Sequence, residues 1–549
     1  MIDDGFEIKF LPGTPPQEVG CPPLSPRTER VDGMIIEYDT AVRMRDGIEI
    51  YADVFRPDGP EPVPPIIGWG PYGKHGAVKY DIFPKHGVDP AWTSKYAGFE
   101  APDPLYWTRH GYAVINVDPR GMWNSQGDAT FYSSQEARDV YDFIEWAGTQ
   151  PWSNGRVGMS GVSYLAITQW RAAADRPPHL AAINPWEGVS DRYRDMSYHG
   201  GIPEDSFGPM WRSKRVAFSN GMVEDTVAMH ADHPLFDAYW ASKTPDLSKV
   251  EIPTFVVASW SDQGLHNRGT IEGFKHISSK DKWLLVHGRK KWQFYYRPDN
   301  VELLRQFFDK FLRGVEDSGV DSWPRVRLET RERFYVGDYR DEAGWPLAQT
   351  QARALYLEPE SKTLVADVPP KEGTVRYAGA TERVEFTHRF GERTDLIGPM
   401  KLHLWVEAEG SSDMDLFVAI QKLDEQGEIV PFSFLNSLED GPVALGWLRA
   451  SHRELDPDLS TDLQPWHPHT REQLLEPGQI VPVDIEIWPS GTRFEAGEQL
   501  RMIVQGSDIY MYPPGIVRMG HSKTRNAGSH VIHTGGRYDS HLLVPVIPA

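Results

Sequence analysis

Along the first 320 residues, apolar positions fall in a strand–helix rhythm that later gives way to simple alternation. Ile48, Ile50, Ala52 and Val54 alternate after the hairpin signal Asp46-Gly47, which predicts strands over 34–38 and 41–54. Short apolar runs at 64–69, 112–117, 180–184, 253–259 and 282–287 predict buried strands. Ser133-Ser134-Gln135-Glu136 reads as a capping box, opening a helix that reaches about Gly148 with Val140, Phe143, Ile144 and Ala147 on one face. A second amphipathic helix over 299–313 aligns Leu303, Leu304, Phe307, Phe308, Phe311 and Leu312, and Gly314 ends it. Strands alternating with helices predict a mostly parallel sheet whose site lies at the strand carboxyl ends.

Two stretches interrupt this rhythm. Residues 75–108 form a long aromatic-rich connection, read as a lid or a packed insertion. Residues 188–248 hold helix-like segments rich in Trp, Met, Tyr and His and read as a helical cap. Beyond Gly314 the period becomes two, as in Leu402, Leu404 and Val406, or Val483, Ile485 and Ile487. The fold class is therefore α/β. A mostly parallel α/β domain is built from 1–187 and 249–320 around the cap, and an all-β sandwich follows over 325–549.

Composition narrows the function. At 549 residues the chain is too long for one core. A net charge of -21 disfavours nucleic acid and anionic membrane as partners. No apolar run approaches the ~20 residues of a membrane helix. Met1-Ile2-Asp3-Asp4 lacks a basic start and an apolar core, so no secretory signal is expected and a cytoplasmic location is the default. Cys21 is the single cysteine, which excludes an intrachain disulfide and argues against a thiol metal site. His467-Pro468-His469 has a ligand-like spacing, but its loop setting argues against a metal, and no cofactor is expected.

The candidate chemistry centres on Gly161-Val162-Ser163-Tyr164, at a predicted strand-to-helix corner. A serine there reads as the nucleophile elbow of an α/β-hydrolase, whose turn exposes the hydroxyl above the sheet. The usual second glycine, two residues after the serine, is Leu165 here, so position alone also allows a junction with a capping serine. The expected chain order is Ser, then Asp or Glu, then His. The strand to Ser259 runs into Trp260-Ser261-Asp262, and the strand to Val286 runs into His287. Ser163, Asp262 and His287 are thus the expected triad, with His266 as an alternative base because it lies close to Asp262 in sequence. The Tyr164 N–H and the Tyr72 hydroxyl are candidate oxyanion donors. Arg289-Lys290-Lys291 reads as a solvated basic turn, with contact to an acidic substrate as its alternative.

These residues resemble the cocaine esterase and X-prolyl dipeptidyl-peptidase family, which includes the α-amino acid ester hydrolases. The matching motifs are Pro71-Tyr72-x-Lys74, Asp118-x-Arg120-Gly121, Gln150 through Gly158, Gly161-x-Ser163-Tyr164, Trp260-x-Asp262 and Gly446 through Ser451. They span about residues 35–510. The resemblance implies a serine hydrolase of esters or amides with a helical cap and a C-terminal jelly roll. It implies Ser163 as nucleophile, Asp262 as orienter, and Tyr72 and Tyr164 as the oxyanion hole. It further implies a small-molecule ester or amide as partner, and the family's habit extends to homo-oligomers. The family's second glycine falls at Ala166, and its histidine usually closes a Gly-Pro-Trp-Ser-His segment. Here that segment is Gly288 to Trp292, with Trp292 at the histidine position. Either His287 or His266 has taken over as base, or the chain is a catalytically impaired binding protein.

Overall fold

The computed structural model describes residues 5–74, 82–435, 437–512 and 519–548, so residues 75–81 of the aromatic-rich connection lie outside it. One sheet carries the N-terminal half. From its antiparallel edge the strands run Arg27–Val31, Met34–Arg43, Glu49–Pro57 and Ala113–Asp118. From Ala113–Asp118 the pairing turns parallel, through Pro65–Trp69, Val157–Val162, Leu180–Trp186, Thr254–Ser259 and Lys282–His287. The parallel strands are buried along almost their whole length, as their unbroken apolar runs require.

Helices cover the faces. Ser134–Gly148 begins where predicted, with the Ser133 hydroxyl accepting the Glu136 N–H at 3.1 Å. Glu136, however, does not complete a capping box. Its carboxylate turns inward and accepts from Trp69 Nε1, the Tyr132 N–H and the Tyr164 hydroxyl. Pro298–Arg313 ends at Gly314, whose φ of 72° closes the last turn in the left-handed region. The insert between Trp186 and Thr254 contains the short helices Phe207–Lys214, Thr226–Asp232 and Ala238–Ser242 and the π-helical turn Tyr193–Ser197.

The boundary expected at 325 is not a clean break between sheets. Val326–Arg333 pairs parallel with Lys282–His287, extends the N-terminal sheet, and also meets Thr492 of the C-terminal region. Beyond it the pairing is mostly antiparallel, with Thr363–Val365 meeting Arg383–Arg389 in parallel. Thr394–Glu409 pairs with Val481–Phe494, Ser529–Thr534 and His541–Ile547, while Asp415–Leu423 pairs with Ala444–Arg449 and Gln499–Gln505. Asp415–Leu423 is buried on both faces. Leu416, Val418 and Ile420 face the C-terminal domain's own core, whereas Phe417 and Ala419 join Leu445, Trp447 and Trp488 in the large core shared with the N-terminal sheet. Side-chain alternation thus welds the two domains together.

A single buried guanidinium also ties three regions. Arg268, in the helix Asn267–His276, donates Nη1–H to Asp195 of the insert at 2.8 Å and Nε–H to Glu486 of the C-terminal domain at 2.9 Å. Replacing it by methionine leaves two carboxylates without their cation. R268M should therefore lower unfolding stability by about 3–5 kcal/mol in denaturant titration. A change under about 0.5 kcal/mol would contradict this reading.

Candidate active site

The strand Val157–Val162 delivers Ser163 to the corner before the helix Tyr164–Asp175. Ser163 sits at φ 59° and ψ -115°, a strained backbone for a side-chain-bearing residue. Its N–H donates to the carbonyls of Trp186 and Glu187, both at 3.1 Å, and these bonds hold the corner. Gly161, at φ 147°, would carry a Cβ 2.5 Å from Leu165 Cβ and 2.9 Å from the Glu100 carbonyl oxygen. The side chain that replaces the expected glycine at 165 thus fits because 161 has none. Ala166 is accommodated in the same way, since a Cβ at Gly188 would lie 2.8 Å from its methyl group.

The Ser163 hydroxyl donates to His266 Nε2 at 3.0 Å. His266 Nδ1–H donates to Asp262 Oδ2 at 2.5 Å. Both partners come from one turn after the strand Thr254–Ser259, where the His266 N–H also bonds the Asp262 carbonyl. The i, i+4 spacing sets the two side chains on one face. Lys291 Nζ reaches the same Oδ2 at 3.2 Å and lies 3.2 Å from His266 Nδ1.

Buried charge governs this cluster. Burial by itself would raise the Asp262 carboxyl, but Lys291 and His266 outweigh it and hold it below the ordinary carboxylate range. Burial, followed by the Lys291 charge, pushes His266 down to about 4. Lys291 keeps its proton because Asp262, ahead of any other group, offsets its burial. Glu100 is pushed up to about 7, chiefly by burial, and accepts the Trp292 indole N–H at 2.7 Å.

His287 does not occupy the position expected of it. Its ring is fully buried, Nε2 lies 3.1 Å from Glu187 Oε1, and Nδ1 accepts the Arg289 N–H at 3.1 Å. Both ring nitrogens are thus engaged away from Ser163, because the strand Lys282–His287 ends beside Glu187 rather than above the elbow. The basic run is not a solvated turn either. Arg289 forks onto Glu329, Lys290 pairs with Glu439, and Lys291 is buried against Asp262. Trp292 lies among Phe83 and Phe99.

The Tyr72 hydroxyl accepts the Trp211 indole N–H at 3.3 Å, and its own O–H meets no acceptor among the described residues. Lys74 anchors this loop through its N–H to Asp118 Oδ1 and its ammonium to Asp39, which accounts for the Tyr72-x-Lys74 and Asp118 motifs. The two nitrogens of His467 face backbone carbonyls of Glu454 and Asp484. Sequence reasoning missed Glu187 and the burial of Lys291. Glu187 carried one signal, an acidic residue at the carboxyl end of a parallel strand.

A strained serine at the end of a parallel strand, with a carboxylate-held imidazole beside it, is the arrangement of serine hydrolases on the α/β-hydrolase fold. Comparison with known proteins identifies the family. Residues 46–290 match the X-Pro dipeptidyl-peptidase (S15 family), and residues 318–543 match the X-Pro dipeptidyl-peptidase C-terminal non-catalytic domain. A CocE/NonD family hydrolase of Staphylococcus aureus is 41% identical, with 96% of this chain and 100% of that one covered, at a TM-score of 0.90. Cocaine esterase of Rhodococcus sp. (strain MB1 Bresler) is 25% identical over 94% of this chain and its own full length. An α-amino acid ester hydrolase shares the fold at 16% identity and a TM-score of 0.74, covering 96% of this chain and 98% of its own. The chain belongs to the CocE/NonD family of hydrolases.

The packing at the elbow makes a direct prediction. G161A should destabilise the protein by about 1–3 kcal/mol in denaturant titration, because the new methyl group overlaps Leu165. An unchanged midpoint would show that the corner is not held by this contact.

Proposed function

We propose that this protein cleaves an ester or amide of a small molecule through an acyl-enzyme on Ser163. One observation carries the reading, the 3.0 Å bond from Ser163 to His266 continued by the 2.5 Å bond to Asp262. His266 Nε2 takes the hydroxyl proton as Ser163 Oγ adds to the carbonyl carbon. The Tyr72 O–H and the Tyr164 N–H, the latter at the start of a helix, stabilise the resulting oxyanion. The protonated His266 returns its proton to the leaving oxygen or nitrogen as the carbonyl–heteroatom bond breaks. Water then gives a proton to His266, its oxygen adds to the acyl carbon, and the acid leaves as Ser163 recovers its proton. His266 supplies the base that Trp292 lacks, which favours this reading over an impaired binding protein. We read the segment 188–248 as a cap over the site and the C-terminal domain as a jelly roll.

Labelling with a fluorophosphonate probe tests the assignment. S163A and H266A should lower labelling by about 10⁴-fold or more, and H287A should leave the label on Ser163. Wild-type labelling rates in H266A would overturn His266 as the base.

The acid limb tests the electrostatics. A base acts only when neutral, so lowering its pKa extends activity into acid. With His266 at about 4, kcat/KM on a chromogenic ester should stay level down to about pH 4 and fall only below it. K291M removes the cation that disfavours the imidazolium, so its limb should move to higher pH. A wild-type limb at the ordinary histidine value of 6.5 would contradict this account.

A further inference from the structure

Behind Asp262 the buried cluster continues where a hydrolase triad would end. Glu187 is the residue after the strand Leu180–Trp186, at φ 48°, and its carbonyl accepts the Ser163 N–H. Its side chain is fully buried. Oε1 accepts from His287 Nε2 at 3.1 Å. The donor there is unambiguous, because His287 Nδ1 is already accepting the Arg289 N–H, which leaves the ring proton on Nε2.

The other oxygen, Glu187 Oε2, is buried, and no N–H or O–H of another residue reaches it among the described residues. Asp262 Oδ1 is in the same condition, since His266 and Lys291 both use Oδ2. The two groups belong to one buried cluster, in which the Asp262 charge bears on Glu187 and each carboxyl leaves one oxygen without a donor among the described residues. Two acceptors cannot bond without a proton between them, and two adjacent buried carboxylates cannot both stay ionised. Lys291 supplies one positive charge against this pair.

We propose that Glu187 is a neutral carboxylic acid whose Oε2–H donates to Asp262 Oδ1, making it a positioning residue for the Asp262–His266 pair. The proposal rests on the reading of Ser163, His266 and Asp262 as the catalytic triad. It completes one directed chain. The Arg289 N–H donates to His287, His287 to Glu187, and Glu187 to Asp262, while His266 donates to the other Asp262 oxygen and accepts from Ser163. The proton resides on Glu187 because Asp262 is held by two donors on Oδ2, whereas Glu187 meets only the His287 ring and no lysine or arginine among the described residues. Burial first, and then the Asp262 charge, hold the Glu187 carboxyl well above the ordinary carboxylate range. The charged or titratable groups around it are Asp262, His266 and Lys291, with Glu100 from the aromatic-rich connection and His287 from the neighbouring strand end. His287, placed here rather than at Ser163, orients the acid.

Two variants separate positioning from mere packing. E187Q keeps both contacts, since its amide N–H can donate to Asp262 while its carbonyl accepts from His287. E187L fills the space and makes neither. On p-nitrophenyl acetate, E187Q should stay within about tenfold of wild type, while E187L should lose about 10²-fold in kcat with KM unchanged. The fluorophosphonate labelling rate of Ser163 in E187L should fall in parallel. A folded E187L with the wild-type kcat and labelling rate would overturn the positioning role.

A second measurement does not depend on activity. The infrared difference between wild type and E187Q should contain the carbonyl band of a buried protonated carboxylic acid, shifted in D2O and lost in the variant. Its absence would overturn the neutral acid, even where E187L fails to fold. If wild-type Ser163 takes no label, the triad reading fails, and the infrared band still decides the protonation of Glu187.

Discussion

Asp262 is a single carboxylate that is wholly buried, and the site is arranged around keeping its charge. A buried anion without partners costs several kcal/mol. Here His266 and Lys291 converge on one oxygen, and the acid proposed on Glu187 serves the other. Those contacts fix where the imidazole stands, and the imidazole in turn meets the one hydroxyl that the strained corner presents. The ammonium of Lys291 has a second effect. It lies against the imidazole as well as the carboxylate, so it stabilises Asp262 while disfavouring a second positive charge on His266. An imidazole that stays neutral well into acid is the consequence of placing that lysine inside rather than on the surface.

The same economy of position joins the domains. The helix that begins just after His266 carries Arg268, which is paired at once with the insert and with the C-terminal domain. The double-sided burial of Asp415–Leu423 leaves that domain no independent surface on its inner side. Trp447, from the Gly446–Ser451 motif, packs near Gly264 in the turn between Asp262 and His266. The domain matched as non-catalytic therefore buttresses the turn that holds His266.

Much of this was legible in the chain. Unbroken apolar runs read as parallel strands because burial on both faces leaves no alternation, and the elbow read as such despite Leu165 and Ala166. What failed had physical reasons. Side-chain reach cannot be read from chain order, so a histidine at a strand end looked equivalent to one a turn beyond Asp262. The i, i+4 spacing of Asp262 and His266 was the signal that could have ranked them. Arg289-Lys290-Lys291 looked solvated because three adjacent cations usually are, and nothing local announces that Glu329, Glu439 and Asp262 each claim one. Glu136 looked like a capping residue, but its partners Trp69 and Tyr164 come from distant strands and helices. The strand at 326–333 pairs with Lys282–His287 on one side and Val336–Glu342 on the other, and also meets Thr492, which blurred the expected boundary.

The central claim is that Ser163, His266 and the two oxyanion donors act on one reacting carbonyl. The crystal structure of the protein after reaction with a fluorophosphonate tests it most directly. The account predicts phosphorus bonded to Ser163 Oγ, with its anionic oxygen within hydrogen-bond distance of both the Tyr72 hydroxyl and the Tyr164 N–H, and His266 beside the adduct. Phosphorus on another residue, or an adduct oxygen facing neither tyrosine, would contradict it.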